Sequence, residues 1–201
     1  MTLPTISPVA DEETGEVRNE KLDPEAEARR RLALAQIRQY PDPVLRMKAH
    51  EVEEIDDSVT GLVERMKGLM SEARGVGLAA PQLGILRRVL VYQAGEEEPF
   101  VALVNPRVVE TGGEQVADDE GCLSLGAATV IVEVERPTTI VVEATSPEGE
   151  ELRVEAEGLE ARVIQHELDH LDGVLIIDRT SPEQRREALA KLRPQPVLGP
   201  T

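Results

Sequence analysis

The sequence predicts an α+β fold: antiparallel β-sheets packed around one central helix, with N-terminal helices before the strands and a short C-terminal helix after them. Three observations carry this. Segments 57–74 and 159–171 repeat apolar residues near a 3.6-residue period. Residues 89–156 hold short β-branched or alternating runs broken by turn residues. The overall order is helix, strands, one buried helix, a short strand, then a short helix.

The elements follow in order. Residues 1–22 carry Pro4, Pro8, Asp11, Glu12, Glu13 and Glu16 with few apolar side chains, and disorder is expected there. Asp23-Pro24 reads as an N-cap followed by proline at the first helical position, so a helix is predicted from 24. Arg29, Arg30 and Arg31 within it read as a solvated face. In 57–74, Val59, Leu62, Val63, Met66, Leu69 and Met70 form one apolar stripe closed by Gly75, and the two methionines read as core filler. Strands are predicted at 89–92, 101–104, 129–134, 139–143 and 152–156, with Ser146-Pro147-Glu148-Gly149 as a turn. In 159–171, Leu159, Val163, Ile164, Leu168 and Leu171 keep the helical period, and Gly173 suits a C-terminal cap. The run Val163-Ile164 reads as buried, which places this helix in the core with one face towards a cleft. Residues 182–193 form the last helix, bearing Arg185, Arg186, Lys191 and Arg193. Domain organisation is therefore expected as an acidic, partly disordered extension at 1–35, one catalytic domain at 36–193 and a flexible, proline-bearing tail at 194–201.

Composition narrows the function. A net charge of −17, from 22 basic and 39 acidic side chains, argues against general binding to nucleic acid or to anionic membranes, and no specific DNA binding is expected. Three aromatics, Tyr40, Tyr92 and Phe100, imply an aliphatic core and little stacking on bases. No apolar run reaches the length of a membrane span, and no signal-peptide pattern opens the chain. The single cysteine excludes an intramolecular disulfide and fits a reducing cytoplasm, the expected location.

Two of the three histidines stand in His166-Glu167-Leu168-Asp169-His170. Four residues of helix turn about 400° and rise about 6 Å, so the two imidazoles stack on one face and can grip one metal ion. Glu167 follows the first of them and can reach a water at the ion without ligating it. A charged amphipathic helix can match this pattern by chance, so the neighbours must decide. A catalytic centre of this kind has three protein ligands and one open position. The longer zincin pattern would place a third histidine at 176, which is Ile176. Glu183 and Glu187 lie in a short polar helix and are poor candidates, and His50 sits in a polar stretch that reads as surface. Cys122, in Glu120-Gly121-Cys122-Leu123-Ser124, is better: a flanking glycine allows close backbone approach, and a thiolate with two imidazoles suits zinc or ferrous iron. The segment Gly75-Val76-Gly77-Leu78-Ala79-Ala80-Pro81-Gln82 is no phosphate loop, since no Gly-Lys-Ser/Thr follows. It reads either as a plain loop or as the carrier of Gln82, whose amide can donate to a developing oxyanion.

These three segments, in this order, resemble the three blocks of the peptide deformylase family: Gly75–Gln82, Glu120–Ser124 and Gln165–Leu171. The likeness covers roughly residues 36–185, and Tyr40-Pro41-Asp42-Pro43-Val44-Leu45-Arg46 resembles the family's N-terminal block. The resemblance implies that Cys122, His166 and His170 hold one divalent metal, usually ferrous iron, with zinc or nickel able to substitute. It implies Glu167 as general acid and base, and Gln82 with the Leu123 backbone N–H as oxyanion donors. Gly77 and Gly121 would meet the substrate backbone, and Val76 would line a methionine pocket. The implied reaction removes the formyl group from formyl-methionyl nascent polypeptides and releases formate. A further expected partner is the ribosome near the nascent-chain exit, met by the basic C-terminal helix. Asp169 is expected to pair with Arg136 and anchor the metal helix. The chain departs from the family after Ser124: Leu125-Gly126 replaces a proline-bearing pattern, and Ala127-Ala128-Thr129 is small and neutral. Substrate side-chain contacts, rather than the metal chemistry, are affected.

Overall fold

Five strands form one antiparallel sheet in the order β1-β2-β3-β4-β5: Gly77–Ala79, Val89–Tyr92, Val101–Gly121, Ile131–Thr145 and Glu151–Glu157. Four helices accompany them: α1 Pro24–Leu34, α2 Asp57–Ala73, α3 Gly158–Leu171 and α4 Pro182–Leu192. This computed structural model describes residues 23–95, 97–126 and 129–192. The stretches expected to be disordered or flexible, 1–22 and 194–201, lie outside the described residues, as do Ala127, Ala128 and Arg193.

Strand β2 shows how the layers form. All four of its residues are buried, which is why it reads as a continuous apolar run rather than an alternation. Successive side chains of a strand point to opposite faces. Val89 and Val91 join the cluster with Met66 and Met70 of α2, whereas Leu90 and Tyr92 join the cluster with Ile164, Leu168 and Leu171 of α3. The sheet is thus covered by α2 on one side and α3 on the other. Helix α2 starts where the Asp56 side chain accepts from the N–H groups of Ser58 and Val59. Its whole predicted stripe is buried, both methionines included. Helix α1, capped by Asp23, buries Ala33 against the α2 side.

A third cluster joins Cys122, Leu125, Val132 and Val134 to Leu175, Ile176, Ile177 and Ala188. Chain beyond α3 folds back over the β3–β4 hairpin in this way and closes the far side of Cys122. Ile176, the position of the missing zincin histidine, is core there.

Three local expectations need correction. The strand expected at 101–104 is far longer: β3 continues to Gly121 and pairs along β4, with register shifts at 104/107, 108/110 and 112/115. Pairing supplies what local propensity lacks, and the bulges absorb Pro106, Gly112 and Gly113. The two strands expected at 129–134 and 139–143 are one, β4, because Pro137 sits opposite Gln115 without ending the strand. The short strand expected after α3 is a 3₁₀ turn, Ile176–Asp178. No helix among the described residues is long and apolar enough to cross a membrane.

Candidate metal centre

His166 and His170 stand one turn apart on α3, with ring centroids 5.1 Å apart. Cys122 follows the last residue of β3, and its Sγ lies 3.2 Å from His170 Nε2. One ligand atom from each of the three residues falls within 4.8 Å of the others. His166 Nδ1 is 3.0 Å from Glu120 Oε2, so an Nδ1–H donating there leaves Nε2 as the ligating atom. Burial, then the charges of His166 and Arg136, push His170 well below its ordinary value and keep it neutral, the form that ligates. Burial would lower His166 too, yet hydrogen bonds to Cys122 and Glu120 hold it well above its ordinary value.

Glu167 is buried, and burial pushes its carboxyl up to about 7. Its Oε2 and His170 Nδ1 are buried with no hydrogen-bond partner among the described residues. Buried carboxylate oxygens are normally bonded. An unpartnered one beside convergent nitrogen and sulfur donors fits a divalent cation together with a water molecule. Gly77 gives this carboxylate its room: a Cβ at 77 would lie 2.4 Å from Glu167 Oε1. A Cβ at Gly75 would likewise lie 2.8 Å from Leu123 Cδ1, so the first block's glycines answer the other two blocks.

Gln82 is buried in a 3₁₀ turn, Ala80–Leu83. Its Oε1 accepts from the Ala79 N–H at 2.8 Å, which aims Nε2 at Ser124 Oγ, 3.2 Å away, and at Cys122 Sγ, 4.0 Å away. The segment that also reads as a plain loop therefore delivers an amide donor to the ligand cluster.

Behind the histidines lies a buried charge network. Glu120 Oε1 accepts from Arg136 Nε at 2.6 Å and Arg162 Nη1 at 2.8 Å, and its Oε2 accepts from Arg136 Nη2 at 2.9 Å. Burial would raise Glu120, but His166 and Arg136 hold it down to about 2. Arg136 Nη1 also donates to Asp169 Oδ2 at 2.9 Å, the pair expected from the sequence, and Arg179 holds the same carboxylate. One guanidinium thus ties the residue that orients His166 to the residue preceding His170.

The structure brings the predicted residues together. Val76, Gly77, Gln82, Gly121, Cys122, Leu123, His166 and Glu167 line one cleft of about 350 Å³, and His170 stands buried in the ligand cluster. His50 is exposed and outside that cluster, and Glu183 and Glu187 are exposed on α4. Sequence reasoning missed Arg74, Ile131, Leu159 and Arg162 as cleft residues, and Glu120 and Ser124 as partners. Arg162 was findable, since it precedes His166 by four residues on the same helix face. Ile131 was not: only its register opposite Gly121 carries it to the cleft. A larger groove of about 660 Å³ runs along Gln165, Leu168, Asp169 and Asp172, but it contains none of the ligand atoms. Its cations are paired, Lys48 and Arg88 with Asp172, Arg107 with Glu143, and Arg136 and Arg179 with Asp169. Size does not locate the chemistry here.

Comparison with known proteins shows the family of this chain. The family model described as Polypeptide deformylase matches residues 34–186. The chain is 47% identical over 156 residues to a peptide deformylase of Natranaerobius thermophilus, covering 78% of this chain and 98% of that protein. It is 49% identical over 150 residues to one from Clostridium botulinum, covering 75% and 99%. Among solved structures, a peptide deformylase from Legionella pneumophila superposes with a TM-score of 0.73 at 38% identity, covering 78% of this chain and 91% of that one. One from Synechococcus elongatus, in complex with actinonin, gives a TM-score of 0.73 at 40% identity, covering 77% and 85%.

Proposed function

We propose that this chain, which belongs to the polypeptide deformylase family, is a metal-dependent hydrolase that removes the formyl group from the N-terminus of formyl-methionyl nascent polypeptides and releases formate. The observation that carries the reading is the meeting of Cys122, His166 and His170 beside the unpartnered oxygen of Glu167.

Cys122, His166 and His170 would hold the ion, and ferrous iron is the proposed resident, with zinc or nickel able to take its place. When bound, such a cation lowers the pKa of water towards ~7 and polarises a carbonyl oxygen. Glu167 takes the proton of the attacking water and delivers it to the amine nitrogen as the C–N bond breaks. The Gln82 amide and the Leu123 backbone N–H donate to the carbonyl oxygen as charge develops on it. Glu120 orients His166 throughout, since its carboxylate is fixed by two arginines. Gly77 and Gly121 let the substrate backbone approach, and Val76 lines the pocket for the methionine side chain. Products are formate and a free amine.

The test is formate release from formyl-Met-Ala by metal-loaded protein, with and without chelator. Release that stops on chelation supports the reading, and no release from loaded protein sinks it. Full metal occupancy and activity in Cys122→Ser would remove Cys122 from the ligand set.

Residues 36–193 are taken as the catalytic unit working in the cytoplasm, with 1–35 as an extension. The proposed meeting with the ribosome rests on α4. Arg185 is engaged with Asp178 and the Ile177 carbonyl, which leaves Arg186 and Lys191 as the exposed cations there. Neutralising these two should weaken co-sedimentation with ribosomes, and unchanged binding would count against that contact.

A further inference from the structure

Two residues other than glycine hold a left-handed backbone among the described residues, Asn105 at φ 53 and Arg74 at φ 60. Side chains resist this region because Cβ crowds the backbone, and glycine or asparagine is the usual occupant. Asn105 repays the conformation within the fold: its side chain accepts from the Val52 N–H at 2.8 Å and donates to the Val52 carbonyl at 2.9 Å. Arg74 does nothing comparable. It ends α2, where its backbone N–H bonds to Met70 and Ser71, a task glycine performs at less cost. A glycine does follow, but it stands one residue later, where a Cβ would press on Leu123 Cδ1 at 2.8 Å.

Arg74 is exposed and lines the candidate cleft next to Gly75 and Val76. Its guanidinium makes no hydrogen bond or ion pair with the described residues. The other cation of this cleft, Arg162, is consumed by Glu120 and by the carbonyls of Val116 and Val134. The surrounding mouth is apolar: Val76, Ile131 and Leu159 are each about half exposed. An unengaged guanidinium in a costly backbone conformation, at the apolar edge of a cleft whose floor is built for chemistry, points to a task towards what enters the cleft.

We infer that Arg74 is a specificity-determining residue, pairing with an acidic side chain of the peptide downstream of its methionine. The inference rests on the deformylase reading of this cleft. With the formyl group at the ligand cluster, an extended chain advances about 3.3 Å per residue. On this reading residues two and three of the peptide leave the cleft past Arg74, beyond the Val76 that lines the methionine pocket. Asp119 lines the same cleft and would favour a basic side chain instead, so the two charges make opposite predictions. The protein's net charge of −17 repels acidic peptides at long range. At physiological salt that repulsion is screened beyond about 8 Å, and the nearest charge decides.

The test compares kcat/KM for formyl-Met peptides carrying Glu, Ser or Lys at the second or third residue. The unaltered enzyme is compared with Arg74→Asn, which keeps a residue tolerant of the left-handed backbone, and with Arg74→Glu. At physiological salt the unaltered enzyme should prefer Glu to Lys at one of these positions by about two- to five-fold, the range of an exposed ion pair. The difference should lie in KM rather than kcat, as uniform binding requires. The preference should vanish in Arg74→Asn and reverse in Arg74→Glu. Equal cleavage by the unaltered enzyme, a preference for Lys, or a preference for Glu surviving in Arg74→Asn would each overturn the inference while leaving the deformylase reading intact. No formate from any peptide by the metal-loaded enzyme would defeat that reading, and this inference with it.

Discussion

The floor and the mouth of the cleft are built by opposite rules. At the floor, Gln82, Glu120, Arg136, Glu167, Asp169 and His170 are all buried, and Glu120, Arg136 and Asp169 are locked to one another. At the mouth, Val76, Ile131 and Leu159 remain about half exposed, and Arg74 engages none of the described residues. Apart from Glu167 Oε2 and His170 Nδ1, the buried polar side-chain atoms of the floor are partnered, so it tolerates little variation in geometry. The mouth carries no such obligation and is free to select among substrates. On the proposed reading, reaction type is stored at the floor and selectivity at the rim.

The largest expected effect tests the floor directly. Glu167→Gln keeps shape and removes the proposed proton carrier, so kcat should fall by roughly 10²- to 10⁴-fold. Metal content, measured on the same sample, should not change. Near-normal turnover would break the comparison, because the floor's buried acid would then be idle.

Next comes the network behind the histidines. Arg136→Met leaves Asp169 and Glu120 each short of a buried partner, although Arg179 and Arg162 remain. Stripping one partner from a buried pair costs about 3 kcal/mol. Denaturant unfolding should report that loss, and a change below about 1 kcal/mol would show that the network is no tighter than surface pairs.

A smaller effect separates buried from partly exposed charge. Burial would raise Asp178, but hydrogen bonds from Arg46, the Leu175 N–H and Arg185 hold it below the usual carboxylate range. A carboxyl lowered on folding stabilises above its unfolded pKa of about 4, and the gain disappears as pH falls through the folded value. Asp178→Asn should thus be less stable than the unaltered protein at neutral pH, and the two should converge in acid. A gap that stays constant down the acid limb would show that the lost contribution is not ionic.

The smallest effect belongs to the mouth. Leu159→Ser removes exposed apolar surface and should change stability by no more than about 0.5 kcal/mol. Any loss should instead appear as a raised KM for formyl-methionyl peptides. A large drop in stability would mean that Leu159 is core, and would erase the distinction between rim and floor.

How much of this was legible in the sequence follows the same division. His166, His170 and Glu167 could be read together because a helix converts spacing into geometry within one element. Cys122 and Gln82 could be named as candidates from their local surroundings, yet nothing local placed them beside α3. Strand β3 hid itself: Pro106, Gly112, Gly113 and five acidic residues argue against a strand, and only pairing with β4 makes one. Ile131 stayed invisible for the same reason, since its place at the mouth comes from its register opposite Gly121.

The sequence by itself determined the α+β class, the stripe of α2, the double histidine on α3, the lone thiol and the aliphatic core. These depend on local periodicity and composition, which a linear chain carries in full. Tertiary structure alone decided that the thiol meets the imidazoles, that Gly77 makes room for Glu167 and that Arg136 joins Glu120 to Asp169. It also decided that Arg74 is left facing the cleft without a partner among the described residues. Each of these is a meeting between residues far apart in the chain, and such meetings are set by strand register and layer packing.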